Sequence, residues 1–90
     1  MLDELYQTIL SRKGASAQSS YTASLFEKGE DEILKKVGEE SVEVILAAKA
    51  QGNQRLTEEV ADLTYHLLVL LASRGLTPAD ISAELEKRKR

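Results

Sequence analysis

Four carboxylates are the residues whose types and spacing could do chemistry. Glu40 and Glu43 lie three residues apart, as do Glu59 and Asp62. On a helix that spacing places both members of a pair on one face, with Cβ atoms about 5–6 Å apart. Between the pairs stands Gln51-Gly52-Asn53, a turn signal. If two helices meet antiparallel there, Glu40 falls opposite Asp62 and Glu43 opposite Glu59, because each pair is equidistant from residue 51. Four clustered, partly buried carboxylates repel one another and lose hydration. They must take up protons or bind a cation. Oxygen-only ligands in a chain without cysteine favour a hard divalent ion, Mg²⁺ first and Mn²⁺ second.

Two helices must hold these acids. Ile33, Val37, Glu40, Val44 and Ala47 recur in steps of four and three, the seam spacing of packed helices. Leu56, Glu59, Leu63, His66 and Leu70 do the same on the second helix. Glu40 and Glu59 therefore occupy seam positions, and Glu43 and Asp62 flank them. Packed helix axes lie about 8–10 Å apart, close enough for one shared site.

The rest of the chain frames this hairpin. Ninety residues suit one small domain, expected over 1–90. No disulfide can staple it. The start, MLDELYQTIL, lacks the pattern of a signal peptide, and the longest apolar run, Leu67 to Ala72, cannot span a bilayer. The expectation is a cytoplasmic protein with no membrane contact. A net charge of −3 argues against nonspecific nucleic-acid binding.

The fold class expected is all-α: a four-helix chain with a central antiparallel hairpin, assembling into an intertwined helical-bundle dimer. Leu2, Leu5, Tyr6 and Ile9 mark a first helix ending at Arg12-Lys13-Gly14. Ala15 to Ser20 is loop by composition, and the pattern leaves Ser20 to Phe26 open between extended chain and a short helix. Gly29 is a break. The second helix is expected over about 30–50, the third over about 54–73 with Asn53 as its cap. The third helix turns apolar on nearly every side from Leu63 onward, and such a helix must be covered all round. Too few companions exist in one chain, which predicts a homodimer or higher homo-oligomer. Gly75 ends that helix. Thr77-Pro78-Ala79-Asp80 opens a fourth, with Ile81 and Leu85 expected inward and a basic end, Lys87 to Arg90.

Other polar residues have plainer readings beside the functional ones. His66, the only histidine, lies one turn beyond Asp62 and suits a core hydrogen bond better than a ligand role. A di-iron bundle needs Glu-x-x-His on two helices, and that motif is absent. Lys36 sits one turn before Glu40, in reach of a bound phosphate or of Glu40 itself. Arg12, Lys13 and Lys35 read first as solvated charges. The basic end complements a helix dipole rather than forming a nucleic-acid patch. No Gly-rich phosphate loop occurs.

Glu40-x-x-Glu43 followed by Glu59-x-x-Asp62 resembles the ExxE…ExxD signature of the MazG-like all-α nucleoside triphosphate pyrophosphatases. The stretches Ser20-Tyr21-Thr22-Ala23, Lys35-Lys36-Val37-Gly38-Glu39-Glu40 and Ala61-Asp62-Leu63-x-Tyr65-His66 are similar to the phosphoribosyl-ATP pyrophosphatase family of histidine biosynthesis. The resemblance covers nearly the whole chain. It implies hydrolysis of phosphoribosyl-ATP to phosphoribosyl-AMP and pyrophosphate, with Mg²⁺ held by Glu40, Glu43, Glu59 and Asp62. Glu39, about a quarter turn off the seam, then either orients the water as an accessory base or stays solvated. Lys36, Arg12 and Lys13 become phosphate contacts, and Tyr21 and Thr22 become contacts to the nucleotide or ribose. Two alternatives stay open on the residues alone. One is a house-cleaning hydrolase of noncanonical or deoxy-NTPs. The other is a non-enzymatic helical dimerisation module with protonated acids.

Overall fold

The computed structural model describes residues 1–89, whose regular structure is all helix, with no strand among them. Five helices follow in order: α1 (Leu2–Ser11), α2 (Tyr21–Lys28), α3 (Glu30–Ala50), α4 (Gly52–Arg74) and α5 (Pro78–Lys87). Arg90, the end of the basic tail, lies outside the described residues.

The expected count of four helices is corrected to five. The added one is α2, in the stretch where the pattern was open. It forms because Ser20, in extended backbone, caps it: the Ser20 hydroxyl accepts from the Ala23 N–H at 2.9 Å. Gly29 then separates α2 from α3 at φ 98°, a left-handed value that side chains rarely adopt. Its N–H still donates to Leu25, and its carbonyl already accepts from Ile33. One residue therefore ends one helix and begins the next.

The hairpin of α3 and α4 is the body of the fold. Its turn is tighter than expected. The second helix of the hairpin begins at Gly52 rather than about Gln54, and no side chain caps it, so Asn53 is not its cap. Gly52, at φ 84°, lets the chain reverse with Gln51 alone between the two helices. At the far end Glu30 pairs with Arg74.

Tyr6, Ile9, Leu25, Ile33, Leu68, Val69 and Ala72 form the core. It gathers α1 and α2 against the Glu30–Arg74 half of the hairpin. The opposite half, toward the turn, carries the acids and little covering structure. Val42, Ile45 and Leu46 are 54%, 58% and 47% exposed there, and Val60 is also open; on the other half Leu67 is open too.

The last helix is also corrected. Thr77 and Asp80 form the expected capping box, each side chain bonding the other's backbone N–H. Yet α5 buries no residue, and Ile81 and Leu85 point to solvent at 45% and 65% exposure. The period of the sequence marks an apolar face but not what lies opposite. Within one chain α5 packs against α1.

Candidate metal and phosphate site

The acids converge where α3 and α4 run side by side. Glu40, Glu59 and Asp62 each present a carboxylate oxygen within 4.8 Å of the others. Glu43 and Glu39 line the same open groove, of about 410 Å³, but do not join that closest group. The three convergent acids differ in exposure. Glu59 is 4% exposed, Glu40 is half-buried and Asp62 faces solvent. The seam positions explain this order: residues on the helix–helix line are covered, and a flanking residue is not.

The electrostatics follow from the crowding. Burial is the first cause that pushes the Glu40 carboxyl above its ordinary value; the Asp62 charge is the second. Glu59 adds to the rise by charge and by hydrogen bonding. Glu59 has its own counter-charge, since Arg55 Nη2 lies 2.6 Å from its Oε1. Arg55 also pairs with Glu58 at 2.8 Å. Arg55 was not singled out in the sequence. The available signal was its place one turn before Glu59, the spacing of a helix ion pair. Glu58, held low by hydrogen bonds from Gln54 and Arg55, faces out of the groove.

The donor set suits a hard divalent cation. All donors are carboxylate oxygens, three from two helices already meet, and the buried one is not free to turn to water. No cysteine or second histidine exists to favour a softer ion.

Beside the acids lies a second polar group. Lys36 Nζ is 3.4 Å from Glu39 Oε1 at the groove edge. Its ammonium is held above the usual lysine value, first by the Tyr21 phenol and then by Glu39. Tyr21 is raised in turn by burial of its hydroxyl end, against the lowering effect of Lys36. The Tyr21 hydroxyl meets His66 Nε2 at 3.1 Å, and Thr22 bonds the Tyr65 hydroxyl. Both residues at the start of α2 are thus fastened to α4, one turn past Asp62. Tyr65 was quoted in the sequence only as part of a motif; its pairing depends on how α2 crosses α4.

Arg12 and Lys13 are not brought to the acids. Arg12 is exposed at the end of α1. Lys13 donates to the Ala72 carbonyl at 3.0 Å, near the Glu30–Arg74 pair. That pair lies ten residues along α3 from Glu40, about 15 Å at the rise of a helix.

Comparison with known proteins identifies the family. A family model described as phosphoribosyl-ATP pyrophosphohydrolase matches residues 2–89. The phosphoribosyl-ATP pyrophosphatase of Trichlorobacter lovleyi is 59% identical over 88 residues, 98% of this chain and 82% of the relative. That of Pelotomaculum thermopropionicum is 55% identical over 99% of this chain and 91% of its own. The Saccharolobus solfataricus protein of the same name is 51% identical over 100% of this chain and 96% of its own. With a family match and near full-length relatives on both sides, the chain belongs to the phosphoribosyl-ATP pyrophosphohydrolase family.

Proposed function

We propose that this chain hydrolyses the α–β phosphoanhydride of phosphoribosyl-ATP, giving phosphoribosyl-AMP and pyrophosphate, a step of histidine biosynthesis. The observation that carries the reading is the meeting of Glu40, Glu59 and Asp62 in a chain that belongs to this family. The family match over residues 2–89 also supports reading 1–90 as one pyrophosphatase domain.

Glu40, Glu59 and Asp62, with Glu43 beside them, would hold Mg²⁺, or Mn²⁺ in its place. Bound there, the ion supplies Lewis-acid neutralisation of the triphosphate charge. The remaining roles fall to side chains. Arg55 fixes the orientation of Glu59 through its short ion pair. Lys36, at the groove edge, binds phosphate oxygens. Glu39, whose Oε1 lies beside Lys36, takes a proton from the attacking water. The new bond forms between that water and phosphorus; the anhydride bond breaks, and pyrophosphate leaves. Tyr21 and Thr22 would contact the nucleotide or ribose. Arg12 and Lys13 have no part in this site within one chain.

The functional unit is a homodimer or larger homo-oligomer. The support is the apolar surface that one chain leaves open at Val42, Ile45, Leu46, Val60 and Leu67 on the hairpin, and Ile81 and Leu85 on α5. No helix among the described residues is long and apolar enough to cross a membrane.

Product analysis tests the reaction. One pyrophosphate and one phosphoribosyl-AMP should appear per substrate consumed. Release of orthophosphate instead would place the cleavage at the wrong anhydride and overturn the assignment.

A further inference from the structure

We propose that His66 is a positioning residue: its bare Nε2 accepts the Tyr21 hydroxyl and so fixes the Tyr21 ring beside the acid groove, where it meets the nucleoside. The inference rests on the pyrophosphohydrolase reading above.

The hydrogen bonds assign the tautomer. His66 Nδ1 lies 2.8 Å from the Asp62 backbone oxygen. A carbonyl only accepts, so Nδ1 carries the proton. In a neutral imidazole Nε2 is then an acceptor, and the Tyr21 hydroxyl, 3.1 Å away, donates to it. His66 is 7% exposed and held on both nitrogens, so the ring is a fixed post on α4. The chain of contacts runs from the Asp62 backbone, through the imidazole, to the start of α2.

Tyr21 is a mixed residue in this position. Its hydroxyl is committed to His66, while the side chain as a whole is 51% exposed. Its ring stands edge-on to the His66 ring, with centroids 6.0 Å apart and planes at 78°. Tyr65 flanks it at 6.3 Å, and its own hydroxyl holds Thr22. Lys36 and Glu40 both act electrostatically on the phenol. What Tyr21 offers a substrate is therefore the ring and not the hydroxyl. An aromatic face suits a purine base or the apolar side of a ribose. The clasp to His66 keeps that face in place before the substrate arrives, which lowers the cost of binding.

Because the chain has one histidine, its ring nitrogens can be read without ambiguity by long-range ¹H–¹⁵N NMR. The wild-type protein should show protonated Nδ1 and bare Nε2. Tyr21→Phe should move the Nε2 resonance downfield and leave Nδ1 in place. In turnover of phosphoribosyl-ATP, Tyr21→Phe and His66→Leu should each raise KM about fivefold, the scale of one lost hydrogen bond, with kcat within about twofold. Their double variant should be no worse than the poorer single one, since both break one link. His66→Gln, which keeps an acceptor near the Nε2 position, should recover most of the KM. An Nε2-protonated ring, an Nε2 signal indifferent to Tyr21→Phe, or fully additive KM effects would overturn the role of His66 while leaving the activity standing. A wild-type chain with the expected NMR signature and no turnover of phosphoribosyl-ATP would overturn the substrate reading, and the nucleoside-side role with it.

Discussion

At the scale of single residues, the site is a problem of charge. Glu40 is the acid on which burial and neighbours act most visibly, and its carboxyl is raised above the ordinary value. The sign of the consequence is fixed. Without a cation the folded state holds that proton more tightly than the unfolded state, so the contribution of Glu40 to stability falls as pH rises through the raised value. Glu40→Gln removes the titration. In chelator, the melting temperature of the wild type minus that of Glu40→Gln should fall as pH is taken from below the ordinary carboxylate value of 4.5 toward neutrality. A flat difference would mean that the crowding has no energetic effect. Glu43 poses the complementary question, since it lines the groove without joining the closest three acids. Glu43→Gln should lower turnover by about 100-fold or more, the scale of losing one charge contact to the transition state, with an unchanged circular dichroism spectrum. Unchanged turnover would remove Glu43 from the mechanism. The convergence of Glu40 and Asp62 was legible beforehand, because equal distance from a turn is a property of the chain alone. The ion pair of Arg55 and the clasp of His66 to Tyr21 were not. Each depends on a rotamer or on the crossing of two helices, and no spacing rule encodes either.

At the scale of elements, glycines punctuate the helices. The span of α3 could be read in advance because Gly29 and the Gln51-Gly52 turn bound it. The short α2 could not, since eight residues carry too little periodicity to separate helix from extended chain. What settles α2 is its Ser20 cap and its attachment to α4. The end of α4 closes with the Leu76 N–H donating to the Leu71 carbonyl at 2.9 Å, around Gly75 at φ 72°. The capping box of α5 then gives a clean separation of stability from catalysis. Thr77→Ala should cost about 1 kcal/mol, the usual loss at an N-cap. In a chain of this size that is a fall of about 4–8 °C in melting temperature. KM and kcat below the transition should be unchanged, because Thr77 does not line the acid groove. A changed KM would show that α5 reaches the site.

At the scale of the whole molecule, one chain does not cover its own apolar surface. The core serves the Glu30–Arg74 half of the hairpin, while Ile45 and its neighbours stay open. The sequence pattern showed that Ile81 and Leu85 share an apolar face but not that one chain would leave that face largely open. A pattern reports which residues avoid water; it does not report whether a neighbouring element or a second copy shields them. The account predicts a dimer or larger assembly by light scattering. Ile45→Glu should shift it toward monomer and lower its melting temperature, because a carboxylate placed in an apolar contact loses hydration without gaining a partner. A wild-type monomer at micromolar concentration would contradict this.

The central claim is that the acids where α3 and α4 meet serve hydrolysis of phosphoribosyl-ATP with a divalent cation. The most direct measurement is pyrophosphate release from phosphoribosyl-ATP, with Mg²⁺ and with chelator, beside a panel of NTPs and dNTPs. The account predicts turnover of phosphoribosyl-ATP that requires Mg²⁺ and little turnover of the panel. Equal turnover in chelator, or preference for a panel nucleotide, would contradict it.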